Sequence, residues 1–516
     1  MQFSRSSLVS RLSLIGLCVA NSASAQLPRA DYAAKRQVVL NALTRDGIIF
    51  VEGSAAPPRE DQAFIQSQNF QALTGITQPG SALVMWKRGA QTGQRIIVPP
   101  KPAYAWEGEQ IGPVEAAAIT GIPSLPSSAL RALLDSIDAT HQRVYFLGQD
   151  AGWPGLSSQL IATVGDSGVI RGGRGRGAGG GGGRGASAPG RGAVPPVDTP
   201  PENDLSAITR AMSQARAKKS DAEIALIKRA AEISVLGHIA AMKAAHPGVT
   251  EYELRGAVEG AFITAGGERL GYPSIVGAGA NSTFLHYSAD TAGSKPGDVV
   301  VIDAATDYKG YSADVTRTFP VNGKFSPEQK IIYSAVLAAQ TAAAAKVKPG
   351  ASMRDLNTAA NAELWAGLVK AGLVDSVGAT YIPTGGGRGG AGGGSPQLGL
   401  FYFHGLSHGL GLNVHDPIYS DSTGFVVNSI FTIEPGLYVR PATLDMVADV
   451  PANAAFRERL KRVIAKYSGI GTRIEDDFVV TATGSTCLSC GAPRTIAEVE
   501  AITGKNAVKS GTNPKP

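Results

Sequence analysis

In the second half of this 516-residue chain, strand-like runs end on acids. Val299-Val-Val-Ile-Asp303 has the unbroken apolar texture of a buried strand, yet it closes on a carboxylate. After a Tyr308-Lys-Gly-Tyr311 turn, Ser312-Ala-Asp314-Val-Thr-Arg-Thr-Phe319 opens the next strand with a second acid. Ile430-Phe-Thr-Ile-Glu434-Pro-Gly and Thr472-Arg473-Ile-Glu475 add a third and a fourth. Arg473 shares a face with Glu475, because strand side chains alternate with period two. Unpaired carboxylates among apolar neighbours are costly, so a fold with these strands in its core has to gather the acids around something positive.

Phe401–Asp416 (FYFHGLSHGLGLNVHD) supplies partners: His404, His408 and His415 fall in one window of a chain with seven histidines. Its glycines let backbone approach a site closely, and imidazole is both a common metal ligand and a proton carrier near neutral pH. One histidine among apolar residues is usually a hydrogen-bonded core group; three in one window fit that reading less well. Four acids with a histidine make a hard, oxygen-rich donor set. It suits Mn²⁺ first, is compatible with Co²⁺, Fe²⁺ or Zn²⁺, and uses its negative charge most naturally on a bridged pair of ions.

The rest of the chain divides by texture. Residues 1–25 carry Arg5 and Arg11, an apolar run Leu12–Ala20 and Ala23-Ser24-Ala25, the pattern of a secretory signal. That predicts an exported protein, periplasmic or secreted. No later stretch is long and apolar enough to span a bilayer. A helix over Tyr32–Leu43 and strands at Gly47–Val51, Ala82–Trp86, Arg95–Val98 and Val144–Leu147 predict an α/β domain over 26–164. A Gly/Arg/Pro-rich segment, 165–204, reads as a flexible insert. The following domain, 205–502, contains a second glycine-rich loop at 385–395, and 503–516 reads as a flexible tail. Ser220…Glu223, Thr250…Glu253 and Ser326-Pro327…Gln329 are capping boxes that start helices. With the acid-ended strands they predict helices packed on a mainly antiparallel sheet.

Net charge is +6, but six arginines (171, 174, 176, 184, 191 and 388) lie in the glycine-rich tracts and account for all of it. The folded body is near neutral, which argues against a nucleic-acid partner. Cys487-Leu-Ser-Cys490 lacks the second cysteine pair of a structural zinc site, and in an oxidising compartment a local disulfide is expected. His238 and His246 have no partner strings and read as structural.

The order Asp303, Asp314, His408, Glu434, Glu475 resembles the five-ligand signature of the pita-bread metallopeptidases, among them aminopeptidase P, prolidase and methionine aminopeptidase. The local strings are closest to aminopeptidase P: Ser274-Ile-Val-Gly277 with Leu285-His286-Tyr287, Asp314-Val-Thr-Arg-Thr-Phe319, His404-Gly-Leu-Ser-His408, Val414-His415-Asp416, Glu434-Pro-Gly436 and Arg473-Ile-Glu475. Asn69-Phe-Gln-Ala-Leu-Thr-Gly75 and Val98-Pro-Pro100 look like that family's N-terminal domain.

The resemblance implies a creatinase-like α/β domain followed by a pita-bread catalytic domain, and two divalent ions. It makes Asp303 a ligand of one metal, Asp314 and Glu475 bridges, and His408 and Glu434 the rest of the other shell. Glu434 is also the implied general base. His286, His404 and His415 match substrate-binding and proton-handling histidines, and Tyr438 and Arg473 match supporting positions. Peptides with proline second are the implied substrates. Prolidase action on Xaa-Pro dipeptides and a non-catalytic binding protein are the alternatives, and a dimer or tetramer is compatible with the sequence. Two departures stand out: the 385–395 tract, and a long Glu434–Glu475 segment with a helix expected near Ala455–Tyr467.

Overall fold

The computed structural model describes residues 26–55, 64–102, 110–148, 156–165, 169–171, 201–385 and 394–506. The expected signal segment, residues 172–196 of the first glycine-rich tract, 386–393 of the second and 507–516 of the tail lie outside the described residues.

The N-terminal domain is a six-stranded mixed sheet in the order β4-β3-β2-β1-β5-β6. The strands are β1 (Gly47–Glu52), β2 (Ala82–Arg88), β3 (Gln91–Val98), β4 (Ser124–Pro126), β5 (Val144–Leu147) and β6 (Val169–Arg171). β1 reads GIIFV because apolar side chains cover both of its faces. Ile49 and Val51 join one core and Ile48 and Phe50 another.

The sheet runs past the expected domain boundary at 164, since β6 pairs with β5 from Val144↔Val169 onward. The expected insert is also shorter at its far end. Helix α3 (Pro201–Ala217) packs with α1 (Arg29–Asn41), placing Leu205, Ile208 and Met212 in one core with Tyr32, Val39 and Leu40. Sequence composition pointed to loop here because the apolar residues of α3 begin only after the glycine tract. Between β1 and β2 lies the short helix α2 (Gln68–Thr74).

The three capping boxes form as expected. Ser220 and Glu223 cap α4 (Asp221–Ala244), Thr250 and Glu253 cap α5 (Glu251–Thr264), and Ser326 and Gln329 cap α6 (Pro327–Ala344). Each cap satisfies helix N–H groups that would otherwise lack acceptors. α6 packs along α7 (Met353–Ala371), and α8 (Ala454–Tyr467) is the helix expected in the long segment.

These helices cover antiparallel ladders. β7 (Ile275–Ala278), β8 (Val299–Asp303) and β9 (Thr316–Pro320) form one. β10 (Ile430–Ile433) pairs with β13 (Asp476–Val480), and β11 (Gly436–Val439) with β12 (Ile470–Arg473). The acid-bearing run Thr472–Glu475 thus straddles a gap between two strands, β12 ending at Arg473 and β13 starting at Asp476. Arg473 pairs with Gly436, Asp476 pairs with Ile433, and between them the Glu475 N–H turns to the Thr316 carbonyl at 3.1 Å. The break stitches two ladders together and aims Glu475 at the end of β8. The N-terminal core also reaches under this region, since Ala305, Tyr311, Ala313, Leu410 and Ile430 belong to it.

Candidate active site

Asp303 ends β8, and a hairpin returns the chain toward it. The turn residues Lys309 and Gly310 both take positive φ, at 50° and 77°, which lets Thr306–Tyr308 pair directly with Tyr311–Ser312. Asp314 then enters beside Asp303. The Tyr272 hydroxyl lies 2.6 Å from an oxygen of each acid. It has one proton to give, so one of those contacts lacks a donor.

His408 Nε2 sits 3.3 Å from Asp314 Oδ2, 3.5 Å from Glu434 Oε1 and 3.8 Å from Glu475 Oε1. The donor atoms of Asp314, His408 and Glu475 all fall within 4.8 Å of one another. Among the described residues Glu475 Oε1 is buried without a hydrogen-bond partner, while its Oε2 accepts from Thr316 Oγ1 at 2.7 Å. An orphaned buried carboxylate oxygen, a hydroxyl shared by two acids and an excess of anionic donors all fit divalent cations.

The electrostatics show the same crowding. Burial, with repulsion from Asp314, Glu434 and Asp303, holds the Glu475 carboxyl well above its usual range. Burial likewise lifts Glu434 to about 8, with Asp314 adding to the rise against His408. Asp314 is raised by burial and by Asp303. Burial opposes ionisation of Asp303 too, but the guanidinium of Arg473, 2.6 Å away, holds this one acid below the usual range. Burial would lower His408, yet its hydrogen bond to the Asp314 carboxylate and the charges around it raise it to about 9.

Arg473 therefore pairs with Asp303 rather than with Glu475, its neighbour in sequence. Its Nη1 also donates to the Tyr438 hydroxyl at 2.9 Å, and that hydroxyl lies 2.9 Å from His404 Nε2. His404 Nδ1 is 2.8 Å from the Gly405 carbonyl, which accepts only. Nδ1 thus carries the proton, and Nε2 accepts from Tyr438. Burial and Arg473 push His404 down to about 3, so this relay holds a neutral imidazole.

His415 stands edge-on to His408 with ring centroids 4.3 Å apart, exposed at the mouth; partial burial and His408 lower its pKa. His286 is exposed and close enough to disfavour protonation of both His404 and His415. The structure thus brings the residues named from sequence near one another, through the contacts given above.

His238 lies outside this group. Fully buried, it bonds the Ala304 carbonyl at 2.9 Å, and burial lowers it to about 4, in keeping with a structural role. Cys487 and Cys490 are bonded to each other.

Four contributors were not picked out from sequence: Tyr272, Thr316, Asp477 and Arg317. Asp477 accepts from the Asp314 N–H at 3.3 Å. Arg317, paired with Asp476 at 2.7 Å, donates to the Glu475 carbonyl at 2.7 Å. Thr316 and Asp477 each stand two residues after a named acid, Asp314 and Glu475, and that spacing was the available signal; Arg317 is out of that register. Tyr272 is remote from both its partners and carried none.

Comparison with known proteins agrees with this geometry. The model of metallopeptidase family M24 matches residues 225–482, and that of the aminopeptidase P N-terminal domain matches residues 32–145. A Xaa-Pro aminopeptidase of Escherichia coli is 37% identical over 287 residues, 55% of this chain and 58% of that protein. One of Haemophilus influenzae is 35% identical, over 56% of this chain and 61% of that protein. These alignments thus span less than two thirds of either relative. Among solved structures, Pseudomonas aeruginosa aminopeptidase PepP superimposes with TM-score 0.69 at 28% identity, covering 93% of this chain and 98% of that one. Proline aminopeptidase P II from Yersinia pestis gives 0.68 at 26%, covering 92% and 99%.

Proposed function

The chain belongs to metallopeptidase family M24, and on that premise we propose that it removes the N-terminal residue from peptides whose second residue is proline. The observation that carries this reading is the convergence of Asp303, Asp314, His408, Glu434 and Glu475 in one acid-rich cluster. These five would hold two divalent ions, Mn²⁺ first by the hardness of the donors, with Co²⁺, Fe²⁺ and Zn²⁺ compatible. Bound there, such ions supply Lewis acidity toward a peptide carbonyl and toward water.

The chain's own groups do the rest. Glu434, the carboxylate set between His404 and His408, takes a proton from the attacking water and returns it to the leaving proline nitrogen. His404 has both ring nitrogens engaged, so it orients Tyr438 and walls the site near Glu434, 3.6 Å away. His286 and His415 make no hydrogen bond among the described residues, which leaves their ring N–H groups to meet the substrate carbonyl as charge builds on it. Arg473 locks Asp303 and Tyr438 in place.

A cleavage assay with Xaa-Pro dipeptides and longer Xaa-Pro peptides tests this. The expected result is release of the first residue from tripeptides and longer chains. Activity confined to dipeptides would make the protein a prolidase, and cleavage of none would overturn the proposal.

Export is part of the same proposal. The N-terminal signal pattern motivates it, and the bonded Cys487–Cys490 pair supports it. Fractionation with N-terminal sequencing should find mature protein beginning at Gln26 outside the cytoplasm; intact protein confined to the cytoplasm would contradict it.

A further inference from the structure

The residue after His415 is held by a buried cluster that lies between the two domains. Asp416 carries two cations: Lys219 Nζ lies 2.8 Å from Oδ2, and Arg216 bonds Oδ1. The Lys219 and Asp416 side chains are 1% and 2% exposed. Lys219 also donates to the Arg216 carbonyl at 2.5 Å, and Arg216 Nη1 donates to Oδ1 of Asn69, on α2 of the N-terminal domain, at 2.9 Å.

The backbone closes on the same point. The Asp416 N–H donates to the Gly409 carbonyl at 2.8 Å, so Gly409–Asp416 forms a loop with His408 just before it and His415 just inside its far end. A Cβ on Gly411 would stand 2.1 Å from Asp416 Oδ2, so the loop is drawn tight onto this carboxylate. Whatever fixes Asp416 therefore fixes the spacing of the His408 and His415 rings.

We propose that Asp416, Lys219 and Arg216 are positioning residues that set His415 against His408, and that Asn69 extends this support into the N-terminal domain. The inference rests on the peptidase reading above for its catalytic consequence, and on geometry alone for its structural one. Two cations on one acid hold both of its oxygens, so the carboxylate cannot pivot. Arg216 is the adjustable member, being 12% exposed where Lys219 is sealed.

The test compares Arg216→Met with Arg216→Lys in the full-length protein. Two readouts are taken: steady-state kinetics on a Xaa-Pro tripeptide, and the ring resonances of His415 in carbon-labelled protein, assigned by His415→Gln. Because an ångström of misplacement can cost about a hundredfold, Arg216→Met should lower kcat about tenfold with KM within about threefold. The His415 resonances should move in Arg216→Met and return toward wild type in Arg216→Lys, which keeps the cation. Wild-type kinetics with unmoved resonances in Arg216→Met would overturn the proposal. Equal losses in both variants with unmoved resonances would do the same, since that is general destabilisation. If the wild type itself cleaves no peptide, the functional reading fails and the resonances alone decide the positioning claim. Should Arg216→Met not fold, Asn69→Leu, which removes the acceptor that holds Arg216 Nη1 and so loosens that cation on Asp416, is read in the same way; unmoved His415 resonances there would also overturn the proposal.

Discussion

Two clusters of buried charge lie close together in this molecule, and they are built on opposite plans. Between the domains every acid has a matched cation: Lys35 lies 2.9 Å from Glu223, and Lys219 and Arg216 share Asp416. In the acid cluster four acids face one guanidinium, the His408 imidazole and the neutral His404, and among the described residues an oxygen of Glu475 has no hydrogen-bond partner. Removing charges from water is tolerated only where other charges and hydrogen bonds replace the solvent. The first cluster is complete as folded and reads as structure. The second is complete only with added positive charge, which is why we propose it as the place where this member of family M24 holds metal.

Glu434→Gln should open the widest gap between the clusters. It keeps size and one oxygen but accepts no proton, so kcat on Xaa-Pro peptides should fall about a hundredfold or more while the protein stays folded. Metal content on the same sample separates a lost base from a lost ion. Near-native turnover would remove the base assignment.

Thr316→Val should act next most strongly. It deletes the hydroxyl that donates to Glu475 Oε2 at 2.7 Å. Loss of a bond that orients a metal ligand typically weakens metal affinity about ten- to a hundredfold, and a competitive chelator titration measures it.

The metal-free protein should also show its excess of acid through pH. Glu434 stands at about 8 against an ordinary 4.5, and His408 at about 9 against 6.5. Both are raised, so between those values the native state holds protons that the unfolded chain has released. Stability then falls as pH rises through that window. Urea midpoints of metal-free protein should be lower at about pH 8.5 than at about pH 6, and saturating Mn²⁺ should shrink the difference. A midpoint that rises with pH would contradict the description of the cavity.

The smallest effect on activity belongs to the matched cluster away from the histidine loop. Lys35→Met leaves Glu223 buried with the Tyr311 hydroxyl, 3.0 Å away, and the Ser220 N–H, 2.9 Å away, but without its cation, so it should destabilise by about 3 kcal/mol or more. Turnover should nevertheless stay within about twofold of wild type, because the change leaves the reacting geometry alone. A large loss of kcat at unchanged stability would erase the distinction between the clusters.

How much of this was legible in the sequence follows from how local each signal is. Capping boxes act within four residues, so Ser220, Thr250 and Ser326 mark their helices without tertiary help. Acids ending apolar runs are also a local pattern, and they located Asp303, Asp314, Glu434 and Glu475. The break at Ile474–Glu475 was not legible, because it arises when one segment changes ladder partners from Gly436 to Ile433. The pairing of Arg473 with Asp303 spans 170 residues, and the bond from Tyr272 to Asp314 spans 42. The strand β6 was hidden for another reason: three residues beside a glycine tract are too few to show a period.

The central claim is that the acid cluster is a two-ion site on which peptide hydrolysis depends. Protein stripped with chelator, then titrated with Mn²⁺ while bound metal and cleavage of a Xaa-Pro tripeptide are followed together, tests it most directly. The account predicts that activity is lost on stripping and returns as bound metal approaches about two ions per chain, the pairing expected of a carboxylate-rich dinuclear site. Full activity in the stripped protein, or restored metal without restored cleavage, would contradict it.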